Sequence, residues 1–252
     1  MARVIAVVNQ KGGVGKTTTT INLGAALVQR GRRVLLVDLD PQGHTTMGVG
    51  LSVAEGQPTI CDVLVRDQSL SKVVLSAEGL DVAPAQLDLA AAEMELVSAP
   101  GREIRLREAL GEIDHHYVLI DCPPSLGLLT LNALAAAQEV LVPVQSQYYS
   151  YTGFVALLNA VKQTQKWINR QLTVAGILIT QFDGRIKLHR ETVDHLREEF
   201  DGHYRVFQTV IPQAARAQEA AQAAVPIVRY DPRSPAAMAY IALAEELDDL
   251  DD

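Results

Sequence analysis

Short apolar runs and longer amphipathic stretches alternate along this chain from its first residues. The runs "RVIAVV", "RVLLVD", "LDVAP", "YVLIDC", "EVLVPV", "TVAGILIT" and "VFQTVI" are of strand length, rich in β-branched residues and apolar at odd and even positions alike. A strand open to water on one side would alternate apolar with polar, so these predict strands buried on both faces of a parallel sheet. Between them the pattern takes the helical period over Lys16–Arg30, Arg102–Ile113, Gly127–Ala137, Thr152–Trp167, His189–Phe200 and Pro235–Leu247. This alternation predicts an α/β fold, a doubly wound, mostly parallel β-sheet flanked by helices. No repeat, low-complexity tract or long Pro/Gly/Ser linker divides the 252 residues, so the chain reads as one domain over 1–252.

Composition narrows the class. With 48% hydrophobic and 21% charged residues the chain can bury a core and is not a disordered one. It has no apolar stretch of the ~18 residues a membrane span needs, and its start lacks a secretory cleavage site; a cytoplasmic location is expected. Cys61 and Cys122 are too few for a disulfide framework or a four-ligand zinc site within one chain, although two per subunit could bridge a cluster across a dimer. His115 and His116, being adjacent, point apart on any regular element. The formal charge of −8 disfavours a nucleic-acid partner as a sum, but its distribution is uneven. Between Lys162 and Arg233 stand 11 Lys+Arg against 8 Asp+Glu, leaving 11 against 22 elsewhere, so a basic face on an acidic protein can be expected. The tail "AEELDDLDD" has no Lys or Arg and is the opposite of a membrane-surface helix.

The chemistry concentrates after the first strand. "RVIAVV" leads into "NQKGGVGKTTTT" and then a helical pattern, the strand, glycine-rich loop and helix of a P-loop. Gly12, Gly13 and Gly15, with Val14 between them, would let backbone N–H groups face a phosphate, and the helix starting near Lys16 adds its positive end. Lys16 would contact the β- and γ-phosphates, and the Thr17 hydroxyl, followed by Thr18, would enter a magnesium shell. Asp38 and Asp40 lie where the second strand ends, the side of an open α/β sheet on which ligands bind. Asp121 ends the apolar run "YVLIDC" in the manner of a Walker B acid, which would hold the metal through water.

The loop also departs from the standard pattern, with Gln10 where its first glycine belongs and a second lysine, Lys11, in "KGGVGKT". It thereby resembles the deviant Walker A group of P-loop ATPases, which includes the ParA/Soj partitioning proteins, the MinD division-site proteins and the nitrogenase iron protein. The resemblance implies that Lys11 reaches across a nucleotide-sandwich homodimer to the partner's phosphates. It also implies that Asp40 positions the attacking water and that Asp38 supports the hydration shell of Mg2+.

Further stretches resemble the ParA/Soj branch: "LLVDLDPQGHTTMGVG", "IDCPPSLGLLTLNAL", "VPVQSQYYSYTGF", "TQFDGR", "VIP" and "YDPRSPAAMAYIALAEEL". Membership there implies an ATPase that binds ATP and Mg2+ and dimerises on ATP. It would bind double-stranded DNA without sequence preference, associate with the nucleoid and turn over slowly until a ParB-type protein stimulates it. Arg185, Arg190 and Arg216 are the DNA contacts it implies, and Pro212 borders the adenine. The matches are incomplete, with His44 for an asparagine, Thr152 for an acid, and "IPQAARAQEAAQ" for the family's "IPRNVRLSEAPS", which places Gln213 and Ala214 where an arginine and an asparagine are usual. With the first strand starting near Arg3, no helix-turn-helix is expected ahead of the P-loop. A MinD-like membrane-positioning ATPase and an iron-protein-like electron donor are the alternatives.

Overall fold

The computed structural model describes residues 2–147 and 151–248. The side chain of Thr152, residues 148–150 of the "YYS" stretch and the last four residues of the acidic tail lie outside the described residues. Eight strands form one sheet in the order β3-β4-β2-β5-β1-β6-β7-β8. In chain order they are β1 Arg3–Val7, β2 Val34–Asp38, β3 Leu75–Ala77, β4 Leu80–Ala83, β5 Tyr117–Asp121, β6 Glu139–Gln145, β7 Thr173–Phe182 and β8 Val206–Pro212. Every neighbouring pair is parallel except β3 with β4. That pair is a hairpin closed by Glu78 and Gly79, with φ of 48° and 85°, the left-handed pair a two-residue primed turn needs. The sequence pattern predicts seven of these strands and misses β3, whose three half-exposed residues carry too little apolar signal.

The helices are α1 Lys16–Gln29, α2 His44–Gly48, α3 Ile60–Arg66, α4 Asp88–Leu96, α5 Arg105–Ala109, α6 Leu128–Ala136, α7 Tyr151–Trp167, α8 Lys187–Phe200, α9 Ala215–Gln222, α10 Ile227–Tyr230 and α11 Pro235–Asp248. The pattern over Arg102–Ile113 condenses to α5 and a tight turn at Leu110–Glu112. Alternate residues of each strand feed different cores, as a doubly covered sheet requires. Val4, Ala6 and Val8 face a layer built on α3, α4, α6, α7 and α8, including Leu64, Leu96, Leu129, Leu157 and Leu196. Ile5 and Val7 face the layer of α1, α10 and α11, with Leu23, Leu27, Val228, Tyr240 and Leu243. Both layers leave the C-terminal ends of β1, β2 and β5 open, where the acids and the glycine loop emerge.

Candidate active site

The loop between β1 and α1 is held from beneath by polar side chains that the sequence pattern does not single out. Gln145 at the end of β6 and Gln181 in β7 donate amide N–H groups to the Gly13 carbonyl at 2.9 and 2.7 Å. The Thr180 hydroxyl donates to the Val14 carbonyl at 2.8 Å. Gly13 and Gly15 take φ of 72° and 90°, a backbone that favours glycine. With the carbonyls tied to the sheet, the N–H groups of Gly12, Gly13, Val14 and Gly15 donate to no protein acceptor among the described residues. A run of free amides ahead of a helix N-terminus is a ready anion site.

Lys16 opens α1, is 7% exposed and its ammonium donates to the Lys11 carbonyl at 3.4 Å. Burial pulls its pKa below the usual lysine value, and the charges of Asp121 and Asp40 pull the other way. Lys11 is placed differently. Its backbone N–H donates to the Asn9 side chain at 3.0 Å, an Asx turn that shapes the loop, and its ammonium donates to Gln145 Oε1 at 2.6 Å. The same Gln145 therefore holds both the loop and its first lysine.

Asp38 and Asp121 stand side by side in register on β2 and β5, both completely buried. One Asp38 oxygen accepts the Thr46 N–H at 2.9 Å and the Thr46 hydroxyl at 2.8 Å. Its other oxygen accepts the Asp40 N–H at 3.2 Å. Asp121 Oδ2 accepts the hydroxyls of Thr17 and Thr45, each at 2.7 Å. Among the described residues, Asp121 Oδ1 is buried without a partner. Burial pushes both carboxyls above the ordinary carboxylate range; the Asp38 charge adds to the push on Asp121, and the Thr hydrogen bonds oppose it in both. Two buried acids, an orphaned carboxylate oxygen and the Thr17 hydroxyl fit a hard divalent cation. Among the described residues no cluster of three or more His, Cys, Asp and Glu could hold a metal by itself, so a cation here would share its shell with phosphate oxygens. Thr45 and Thr46 belong to α2, which sequence reading did not predict.

Asp40 lies on the loop beyond β2, partly exposed, and accepts the Gln42 N–H at 2.9 Å. A cavity of about 530 Å³ opens beside Thr17 and Thr18, with Asn22 of α1, His44 and Met47 of α2, and Ala217 of α9 on its walls. Pro212, at the end of β8 beside Phe182, does not line it. Cys61 and Cys122 are both buried as free thiols.

The expected DNA contacts are placed at the same end of the sheet. Arg185 and Arg190 flank the turn from β7 into α8, and Arg216 opens α9 after the neighbouring β8. Each is engaged within the chain. Arg185 grips Asp183 at 3.0 and 2.7 Å, Arg190 donates to the Gly184 carbonyl, and Arg216 pairs with Glu219 at 2.7 Å and Asp231 at 3.5 Å. Among the described residues no helix is long and apolar enough to cross a membrane.

Comparison with known proteins agrees with this geometry. A family profile described as an AAA domain matches residues 2–174. The chain is 46% identical to the sporulation initiation inhibitor protein Soj of Bacillus subtilis, over 98% of both chains. It is 43% identical to the chromosome-partitioning ATPase Soj of Treponema pallidum, over 98% of this chain and 97% of the relative. Among solved structures it is similar to one described as cobyrinic acid a,c-diamide synthase from Mycobacterium smegmatis with bound ADP and magnesium, with a TM-score of 0.85 and 38% identity over 97% of this chain and 93% of that one. A free-amide loop over a parallel sheet, two lysines within it and paired buried acids beside it thus occur in a chain whose whole length matches partitioning ATPases: it belongs to the Soj/ParA family of P-loop ATPases.

Proposed function

We propose that this protein is an ATP- and Mg2+-dependent partitioning ATPase that dimerises on ATP, binds double-stranded DNA without sequence preference in that state, and is stimulated by a ParB-type protein during chromosome or plasmid segregation. The observation that carries the reading is the division between the two lysines. Lys16 is buried against its own loop, whereas Lys11 sits on the loop's outer limb, partly exposed, with its ammonium donating to Gln145. Lys16 and the free amides would hold the phosphates of the subunit's own nucleotide, and Lys11 those of the nucleotide bound opposite. Thr17, Asp38 and Asp121 would hold Mg2+, the acids through water. When bound, the cation would draw charge from the phosphate oxygens. Asp40, at the rim and in reach of Lys16, would orient the attacking water.

Stabilisation of the transferring phosphoryl group is then conditional on a second copy, because the loop has no arginine and Lys11 must come from the partner. Turnover by the protein alone would then be slow, which would make it a timer that the ParB-type protein resets. The test is ATP hydrolysis by the full chain, alone and with DNA and the ParB-type protein encoded beside it, together with light scattering of Lys11→Ala. That variant should bind ATP as a monomer and lose both dimer and turnover. An intact ATP dimer would remove the cross-subunit role. A DNA-bound dimer would localise to the nucleoid.

A further inference from the structure

Consecutive residues of a strand point to opposite faces of the sheet, yet Thr180 and Gln181 both reach the phosphate loop from β7. Thr180 pairs in register with Gln145 of β6, so those two share a face, and Thr180 donates to the Val14 carbonyl at 2.8 Å. In a regular strand Gln181 would face away. It does not, because β7 advances three residues, Ile179 to Phe182, while β8 advances two, Val210 to Pro212. This β-bulge sets Gln181 at φ 54°, a left-handed backbone that a glutamine adopts only at a cost in strain. The bulge re-aims the side chain, whose Nε2 donates to the Gly13 carbonyl at 2.7 Å.

The amide of Gln145 is oriented by what surrounds it. Its Oε1 accepts the Lys11 ammonium at 2.6 Å, so its Nε2 turns the other way and donates to the Gly13 carbonyl at 2.9 Å and to Gln181 Oε1 at 2.8 Å. Reversing either amide would set donor against donor. The two glutamines thus meet on one loop carbonyl and link it, through hydrogen bonds, to the ammonium of Lys11. A strained residue persists where its surroundings hold it, and strain placed beside a phosphate loop points to work done there.

We propose that Gln181 and Gln145 are positioning residues of the ATP site. Their shared hold on the Gly13 carbonyl keeps it turned to the sheet and the amides of Gly12, Gly13, Val14 and Gly15 turned to the phosphates, and the bulge is the device that brings Gln181 there. Of the two, only Gln145 also places the Lys11 ammonium. This rests on the reading of the loop as an ATP site, and the experiment separates the two.

ATP binding to the full chain with Mg2+ is measured by calorimetry, beside denaturant unfolding without nucleotide. Gln181→Gly removes the amide and suits the left-handed backbone. It should bind ATP about tenfold more weakly, the scale of one lost polar contact, and unfold at the same denaturant concentration or a higher one. A residue with only a structural role would leave ATP affinity alone and lower the midpoint. Gln145→Leu should weaken ATP binding on a similar scale and, at saturating ATP, lower kcat further than Gln181→Gly does, because it also loses the contact with Lys11. The two changes meet on one carbonyl, so the double variant should lose less affinity than the product of the single effects. An unaltered protein that binds no ATP overturns the ATP-site reading and this pair with it. Normal binding by the unaltered protein and equal binding by Gln181→Gly overturns the pair alone, as does a loss of affinity in Gln181→Gly that comes with a lowered unfolding midpoint. Single effects that multiply in the double variant would overturn the shared hold.

Discussion

Lys11 and Lys16 carry the same charge five positions apart, and their surroundings give them different work. A buried ammonium beside Asp121 and Asp40 is fixed on one site, while that of Lys11 lies on a partly exposed residue and donates to the neutral side chain of Gln145. Asp40 differs in the same way from Asp38 and Asp121, which are buried and spoken for by threonines. If it orients the attacking water, Asp40→Ala should bind Mg-ATP and dimerise while single-turnover hydrolysis falls by roughly 10²–10⁴-fold, the scale of losing a positioned base. Unchanged turnover would reassign Asp40 to loop structure. The raised carboxyls of Asp38 and Asp121 lead to a second expectation. A pair pushed upward by burial keeps a proton at a pH where a free aspartate is ionised, and a cation favours the charged form, so Mg2+-nucleotide binding should release protons. The release should grow as pH falls below neutrality. Calorimetric enthalpies that do not vary with the ionisation heat of the buffer near pH 6.5, a value set at about the working range, would contradict it.

At the scale of elements, what was legible in the sequence followed signal length. Long apolar strands and the 14-residue α1 show their period plainly, and the phosphate loop is a local motif whose spacing is its chemistry. The five-residue α2 has too few turns to show a period, yet its Thr45 and Thr46 hold both buried acids. Gln145, Thr180 and Gln181 fall in stretches that carry the family resemblance, yet their role beneath the loop was not legible, because a polar residue near a strand's end looks the same whether it meets water or a loop carbonyl 132 to 168 positions away. α3 did carry a readable sign. Thr59 and Asp62 form a capping box in which the Asp62 side chain accepts the Thr59 N–H at 2.8 Å. The work done by α2 can be measured through Thr46, whose hydroxyl donates to Asp38 and accepts the Ala85 N–H at 3.1 Å. Thr46→Val keeps the shape and strands a buried acceptor and a donor, so it should lower unfolding stability by about 1–3 kcal/mol in denaturant titrations without nucleotide. An unshifted midpoint would show that α2 does not order the acid pair.

Over the whole molecule the charge of −8 and the proposed affinity for DNA pull in opposite directions. The surplus of cations between Lys162 and Arg233 does not settle the matter, since Arg185 and Arg216 are already paired with Asp183, Glu219 and Asp231. Exposed pairs of this kind are worth little and are screened by salt, so a phosphate can take the guanidinium over. The carboxylates stay behind, however, and each lowers the attraction of the face for a duplex. One subunit should consequently bind weakly. A dimer doubles the number of phosphates met at once, and log affinity falls with log salt by about 0.9 per phosphate neutralised. The salt slope on unrelated duplexes should then be about twice as steep with ATP, in an Asp40→Ala background that holds the dimer, as without nucleotide, and Arg185→Glu with Arg216→Glu should flatten it. Asp183→Asn should do the reverse, strengthening binding by freeing Arg185 from its countercharge. A slope indifferent to nucleotide, or undiminished by the double reversal, would place the DNA surface away from the β7–α8 turn and α9.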